Sequence, residues 1–339
     1  MNGELLSIDS AAFYNSKLKN ITIPDSVKYI RGHGDNEVIG GVFCFCKSFE
    51  NIIISENSLL AFIGYAVAQL TPVKNIFIPQ NCMISLGAFN LMDNLTITID
   101  PRNLHLKMFD NCIYSFNLNS LYWIPSYYQN NFTFNSNCHA IESQAFRGYR
   151  TNNDLVIPKE ITTIKIDAFY QCLCRSIIFQ NDMFETPNYN LFYACTSAIK
   201  MPEKLRVVKS SVFERYNGNS IEFYSDLQMI ESESFINCSH LETIKFNKLN
   251  SNMIIDSNSF YNCANLQYLL FPFDSSDIIT FNLTCLNRCT SFKGIKFYLN
   301  IPRNIMNFNA DKKIIEIEMK ASNSKGIFID CGKFHIKNL

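Results

Sequence analysis

Apolar residues return at fixed spacings in two stretches of the chain that can be laid over each other, Ile230–Phe246 and Ile255–Phe271. In each stretch a Phe is followed by apolar residues 3, 6, 9 and 11 positions later, with mostly polar residues between them. The alternation that ends each unit predicts a short β-strand with one buried face. The matching pairs are Phe235/Phe260, Cys238/Cys263, Leu241/Leu266, Ile244/Leu269 and Phe246/Phe271.

The same spacing recurs along most of the chain, so the repeat is the main structural signal. Twelve copies from Phe13 to Leu286 cover 273 residues in eleven steps, which gives a mean period of 24.8 residues. One unit cannot bury its apolar set alone, and stacked units must therefore share a core. The copies begin at Phe13, Phe43, Val67, Phe89, Phe109, Phe146, Phe169, Phe192, Phe213, Phe235, Phe260 and Leu286.

This pattern predicts a mainly β solenoid of about 12 repeats, each with one short parallel strand. Pro, as at Pro272, suits the end of a strand because it cannot donate to the ladder. The 40 Asn residues, against 12 Gly, suit tight turns because Asn tolerates left-handed backbone. We expect the solenoid to cover residues 1–300, with insertions near 31–40 and 117–137, and residues 301–339 to form degenerate repeats or a C-terminal cap.

The units Ser234-Phe235 to Phe246, Ser259-Phe260 to Pro272 and Ala145-Phe146 to Ile164 resemble the BspA-like class of leucine-rich repeats. The resemblance implies a right-handed leucine-rich-repeat superhelix and a non-catalytic surface antigen or adhesin. Its partner would be a protein or a glycan, and its location the cell surface. Because Met1 to Pro24 shows no basic segment followed by an apolar one, a cytoplasmic location stays open. An intracellular scaffold, or a repeat protein without a dedicated ligand, is the alternative.

Net charge and the length of apolar stretches indicate which classes of partner to expect. Lys+Arg and Asp+Glu number 30 each, so the zero net charge gives no chain-wide attraction to nucleic acid or anionic membrane. The most apolar stretch, Leu59–Ala68, is too short for a bilayer span, which needs roughly 20 residues. The sequence therefore predicts no nucleic-acid partner and no membrane span, and it gives no indication of oligomeric state.

The 13 cysteines are expected to be packing residues. Seven occupy the +3 position of the repeat, where Leu70, Met92 and Tyr149 stand in other units, and a site that accepts these residues is apolar. Disulfides between neighbouring coils, such as Cys238–Cys263, stay open on distance but are disfavoured by parallel side-chain directions. Zinc is not expected, because no spacing matches a zinc site. The seven are Cys46, Cys112, Cys172, Cys195, Cys238, Cys263 and Cys289.

No catalytic or cofactor-binding residue is predicted. The sequence holds no nucleophile-elbow, P-loop or dinucleotide-binding motif. Gly32-His33-Gly34 is interpreted as a turn. A site in the 117–137 insertion, which carries Trp123, Tyr127 and Tyr128, is the remaining catalytic alternative, and burial of these aromatics in a degraded repeat is the simpler interpretation.

The outward positions of the strands are the expected binding surface. Apolar or aromatic residues at several of these positions favour a protein- or glycan-binding face, although scattered surface hydrophobes are equally common. The residues assigned to this face are Phe77, Lys245, Tyr268, Leu270 and Lys296.

Overall fold

The computed structural model divides the chain into two compact units. Unit 1 comprises Met1–Thr151 and Thr163–Cys172, and unit 2 comprises Asn152–Thr162 and Leu173–Leu339. The structure describes residues 4–32, 41–93, 95–128, 131–181, 189–248, 252–272, 278–282, 284–298, 315–318 and 336–338. Within these ranges no helix is long and apolar enough to cross a bilayer.

Short strands dominate both units. Unit 1 contains β1 (Ser7–Ile8), β2 (Asn20–Thr22), β3 (Tyr29–Ile30), β4 (Asn51–Ile53), β5 (Phe62–Ile63), β6 (Asn75–Ile78), β7 (Met83–Ile84), β8 (Thr96–Ile99), β9 (Leu106–Phe109), β10 (Cys112–Ser115), β11 (Ser120–Trp123), β12 (Ala140–Ile141) and β14 (Thr163–Ile164). Unit 2 contains β13 (Asp154–Ile157), β15 (Ser176–Phe179), β16 (Ala198–Lys200), β17 (Val207–Val208), β18 (Ser220–Phe223), β19 (Met229–Ile230), β20 (Thr243–Phe246), β21 (Asn252–Ile255), β22 (Tyr268–Pro272), β23 (Ile278–Phe281), β24 (Gly294–Tyr298), β25 (Ile315–Glu318) and β26 (Ile336–Asn338).

Two ladders run through unit 2. The longer has the order β13-β15-β16-β18-β20-β22-β24-β25 and is parallel except for the antiparallel β24–β25 pair. The shorter has the order β17-β19-β21-β23-β26. In the longer ladder Ile221 pairs with Ile244 and Ile244 with Leu269, and all three are buried. Because successive residues of a strand face opposite sides, every second residue along each strand is buried.

The leading Phe residues of unit 2 stack one above another in the core. The ring centroids of Phe192 and Phe213 are 5.1 Å apart, those of Phe213 and Phe235 4.7 Å, and those of Phe235 and Phe260 5.3 Å. The N–H of Phe260 donates to Cys285 O, the residue before Leu286, which continues the same register by one coil. The predicted alignment of the repeats is confirmed.

Unit 1 has a less regular arrangement. A four-stranded parallel sheet has the order β1-β3-β5-β7, and two further parallel pairs are β2–β4 and β6–β8. A fourth group, of five strands, has the order β14-β12-β11-β10-β9, in which β9–β10 and β10–β11 are antiparallel. The β9–β10 turn holds Asp110 and Asn111 at φ 47° and 59°, the left-handed pair that a two-residue hairpin of type I′ requires.

Left-handed residues flank most of the stacked Phe residues, two positions before and two after. Ser211 and Arg215 flank Phe213 at φ 56° and 53°, and Asn258 and Asn262 flank Phe260 at φ 52° and 59°. Such turns suit Asn and cost other residues roughly 1 kcal/mol. Among the described residues, Asn holds six of the 22 left-handed positions that are not Gly, more than any other residue type, so these turns account for part of the high Asn content.

The same geometry corrects two repeat starts. Around the third start, the left-handed residues are Ala66 and Leu70 (φ 48° and 57°), which places Ala68, and not Val67, at the leading position. Leu70 is therefore not the counterpart of the +3 cysteine: it is 49% exposed, and Thr71 is buried in its place. Phe109 lies in the β9–β10 hairpin, 39% exposed, and begins no coil.

The mainly β solenoid fold is confirmed, but one strand per repeat is an undercount. Coils commonly carry a second two-residue strand, such as β17 or β19, which forms the second ladder. These strands are too short to show alternation in the sequence. The 31–40 insertion falls mostly outside the described residues, and only β25 and β26 are described within 301–339, so the predicted domain bounds remain a prediction.

Candidate binding face

The longer ladder of unit 2 presents one row of outward side chains across six strands, and the backbone register extends the row to Lys296 on a seventh. Parallel register pairs each member with the next, so neighbours in the row stand on adjacent strands about 4.8 Å apart. Val156 is 38% exposed, and Glu222, Lys245 and Leu270 are half-buried. The six side chains are those of Val156, Ile178, Lys200, Glu222, Lys245 and Leu270, and the backbone of Lys296 pairs with Leu270 at the same register position.

A polar network occupies the middle of this row. Lys245 Nζ lies 3.6 Å from Glu222 Oε2, which also accepts hydrogen bonds from Tyr224 Oη at 2.8 Å and from Asn247 Nδ2 at 3.3 Å. Burial raises the pKa of Glu222, but these hydrogen bonds and the Lys245 charge outweigh it and leave the pKa below its usual value. Glu222 is therefore ionised at neutral pH, and the charges of this part of the face are locally balanced.

An aromatic and apolar patch follows on the next strand. Tyr268 and Leu270 both project outward from β22. Lys293 Nζ lies 5.8 Å from the Tyr268 ring centroid and donates to Gln267 Oε1 at 2.9 Å. A cation over an aromatic face is attracted by the ring quadrupole, and the amide holds the ammonium in place. The patch thus combines an aromatic ring, an aliphatic side chain and a positive charge.

The sequence-based residues fall in two places. Lys245, Tyr268, Leu270 and Lys296 occupy adjacent strands of unit 2, with Lys296 placed by its backbone pairing with Leu270. Phe77 lies in unit 1, half-buried on β6. The sequence-based prediction omitted Ile178, Lys200 and Glu222, although each stands between two buried residues and the same spacing identifies it.

Phe77 borders a separate shallow groove of about 710 Å³ in unit 1. Amide side chains form one side of it, where Asn51 Nδ2 donates to Asn20 Oδ1 at 2.6 Å. Ile53, 52% exposed, and Thr98 stand beside Phe77. The lining contains no charged residue, in contrast to the Lys–Glu network of unit 2.

The cysteines are structural. The twelve within the described ranges are buried and form no disulfide, so the predicted packing role holds and no cross-link joins Cys238 to Cys263. At four of the +3 positions the thiol donates to the carbonyl of the leading Phe one coil earlier, an oxygen that also accepts the backbone N–H three residues later in its own turn. These bonds are Cys46 Sγ to Phe13 O (2.9 Å), Cys238 Sγ to Phe213 O (2.9 Å), Cys263 Sγ to Phe235 O (3.0 Å) and Cys289 Sγ to Phe260 O (3.0 Å).

Burial favours the protonated form of several thiols. It raises the pKa of Cys82 and of Cys285 to about 12 and that of Cys263 well above its usual value. A thiol in this state is neither a nucleophile nor a metal ligand. Across the described ranges, no three His, Cys, Asp or Glu side chains cluster as a metal site would require.

The 117–137 segment is packed against the core. Trp123 is 5% exposed and meets Phe89 edge to face, with ring centroids 6.1 Å apart. Tyr128 is 7% exposed and donates a hydrogen bond to Asp110, while Tyr127 is 48% exposed and its Oη accepts from Arg150 at 3.0 Å. The simpler interpretation of these aromatics is thus correct for Trp123 and Tyr128. His33 and Asp35 lie outside the described residues.

Comparison with known proteins identifies the repeat. The model of the BspA type leucine-rich-repeat region (6 copies) matches residues 6–130, 122–236 and 207–333. No curated protein sequence matches the chain.

Three similar crystal structures are bacterial proteins. A leucine-rich-repeat protein of Eubacterium ventriosum is 17% identical, with a TM-score of 0.53, over 91% of this chain and 85% of that one. The pneumococcal vaccine antigen PcpA is 13% identical, with a TM-score of 0.53, over 82% of this chain and 66% of its own. A leucine-rich cell surface protein of Faecalibacterium prausnitzii is 19% identical, with a TM-score of 0.46, over 87% of this chain and 63% of its own. The chain thus spans just under two thirds of these last two proteins.

Proposed function

Because the chain belongs to the BspA type leucine-rich-repeat family, we propose that it is a non-catalytic binding protein whose sheet face holds a protein or glycan partner, in the manner of a cell-surface adhesin. The description of PcpA as a vaccine antigen supports display to a host. The proposed contact residues are Lys245, Tyr268, Leu270 and Lys296 in unit 2 and Phe77 in unit 1.

The patch around Tyr268 is the observation that carries this proposal. Tyr268 and Leu270 stand on one strand, beside Lys245 on the next and below the ammonium of Lys293. Binding energy in interfaces concentrates in Tyr and similar rigid aromatic side chains, ringed by polar contacts that exclude water. A parallel ladder holds these groups at fixed spacing, so little conformational entropy is lost when a partner binds.

Binding assays with a matched pair of variants test the face. The full chain is applied to immobilised extracellular-matrix proteins and to a glycan array, and the affinity for each ligand that binds is measured. Leu270→Asp is expected to weaken that affinity about tenfold or more, because it places a charge in an apolar contact. Ile254→Asp is the control: Ile254 is 38% exposed and lies on the second ladder of the same unit.

The outcome separates the alternatives. Equal loss in both variants, or in neither, would show that the longer ladder is not the contact surface. Staining of intact source cells with antibodies against the chain addresses location. Signal on unpermeabilised cells supports adhesion, whereas signal only after permeabilisation favours the intracellular scaffold.

A further inference from the structure

The four-stranded sheet of unit 1 ends at β7 with an unpaired edge. The N–H of Met83 donates to Ala61 O at 2.9 Å, and that of Ser85 donates to Ile63 O at 2.8 Å, so both point toward β5. Since successive residues of a strand face opposite sides, the N–H and C=O of Ile84 point away from β5. In the described part of the chain, β7 pairs with β5 alone. An open edge of this kind is a template for another strand.

The next coil does not continue this ladder, and one buried Asn explains why. Asn103 is 2% exposed, and its Nδ2 donates to Pro79 O at 2.8 Å and to Cys82 O at 3.0 Å. Its Oδ1 accepts from the N–H groups of His105 and Leu106, each at 2.8 Å. This side chain ties the incoming chain to the turn before β7. The chain then leaves as the β9–β10 hairpin, and β9 is itself the end strand of its sheet.

A cleft of about 350 Å³ lies where the ladder stops. Residues of both end strands line it: Met83 and Ile84 from β7, and Leu106 from β9. Leu104 and Phe116 stand at the cleft with 64% and 51% of their surface exposed. Its volume lies at the lower end of the range of ligand sites. A large apolar residue exposed singly is unremarkable, but several around one concavity mark a contact site.

We propose that this cleft and the free edge of β7 bind an extended segment of a partner protein. The segment adds to β7 as a strand, exchanges backbone hydrogen bonds with Ile84 and places one bulky apolar side chain between Leu104 and Phe116. The backbone edge selects a polypeptide, since neither a lipid nor a sugar offers donors and acceptors at strand spacing. This site is separate from the sheet face proposed above and does not depend on it.

Selection from a phage-displayed library of short random peptides tests the site. The full chain is the target, and enriched sequences are expected to contain a bulky apolar residue amid β-branched residues and to lack Pro. The affinity of one enriched synthetic peptide is then measured. The double variant Leu104→Asp/Phe116→Asp is expected to bind it about tenfold or more weakly. Leu59→Asp, at a residue of unit 1 that is 57% exposed, is expected to bind it unchanged.

Backbone methylation distinguishes strand addition from simple apolar contact. Two versions of the peptide carry N-methyl groups on alternate residues, shifted by one position. Only one set of amides faces β7, so one version is expected to lose about tenfold in affinity and the other to keep it. Failure to enrich peptides, equal effects of the two methylated versions, or binding insensitive to the Leu104/Phe116 change would each overturn the proposal. A change of oligomeric state in that variant would instead identify a second copy as the occupant and would also overturn it.

Discussion

The substitution Cys263→Asp, which places a carboxyl group at a buried position, tests whether Cys263 belongs to the core of unit 2. Cys263 is fully buried, and its thiol donates to Phe235 O at 3.0 Å. Its pKa is raised first by burial and then by the neighbouring thiol of Cys238, whereas the hydrogen bond with Cys289 lowers it, and no cation is among the causes. A carboxyl group introduced by Cys263→Asp would therefore find no opposite charge, and its ionised form would be strongly disfavoured.

The free-energy cost of Cys263→Asp arises because the introduced Asp must stay protonated in the folded state. An exposed Asp titrates near pH ~3.9, so holding it protonated at pH 7 requires its pKa to rise by about three units, which costs ~4 kcal/mol. For a unit of this size each kcal/mol lowers the melting temperature by roughly 2–4 °C, so the expected fall is about 8–16 °C. Thermal melts followed by circular dichroism at neutral pH measure it.

The control is Lys245, an outward residue of the longer ladder in the same unit. Lys245 is half-buried, and its ammonium lies 3.6 Å from Glu222, a carboxylate that is 44% exposed. Lys245→Asp removes this partly exposed ion pair and sets like charges on adjacent strands, which costs about 1 kcal/mol and therefore roughly 2–4 °C. Small and equal losses in the two variants would refute the assignment of Cys263 to the core.

Three further predictions concern the left-handed turns, the hydrogen bonds of Asn103 and the protonation of a buried thiol. In unfolding titrations, Ala194→Gly should stabilise by about 0.5–1 kcal/mol because Ala194 has φ 50°, and Ala198→Gly, in strand β16, should destabilise by a similar amount. Asn103→Ala should cost about 2–4 kcal/mol through lost buried hydrogen bonds, whereas exposed Asn75→Ala should cost about 0.5 kcal/mol or less. Because burial raises the pKa of Cys82 to about 12 while an unfolded thiol titrates near ~8.5, its stabilisation should be complete below pH ~8.5 and lost as pH rises toward 12; Cys82→Ala should flatten that decline.

The repeat spacing predicted the core of unit 2 because each inward position there is buried against the equivalent position of the next coil. Phe213, Phe235 and Phe260 meet only if the coils keep one register, and the spacing of the Phe and Cys residues fixes that register. The outward row follows from the same register. Its members could therefore be named from the sequence, although their charges and pairings could not.

Two repeat starts of unit 1 were predicted wrongly, and the reasons are local. One coil is a residue shorter between Ala68 and Ile78, which moved the apparent frame to Val67 and put exposed Leu70 in a core position. The hairpin turn at Asp110-Asn111 is a weaker signal than Asn-Gly, so the β9–β10 pair went unrecognised. The cleft beside β7 lies where the ladder ends. The repeat spacing did not predict it, because the spacing identifies residues that recur and gives no signal where a ladder stops.

The inward and outward residues of the longer ladder show how one fold serves binding. Four successive inward positions are aliphatic and buried: Ile199, Ile221, Ile244 and Leu269. Their outward neighbours are Lys200, Glu222, Lys245 and Leu270, four side chains of different charge and shape at the same register position. Packing constrains the first set through the cost of cavities and buried charge, whereas solvent screens the second set. Substitutions in the outward row can therefore change the partner at little cost to the fold, which is why binding and stability should separate cleanly in the Leu270 and Cys263 variants.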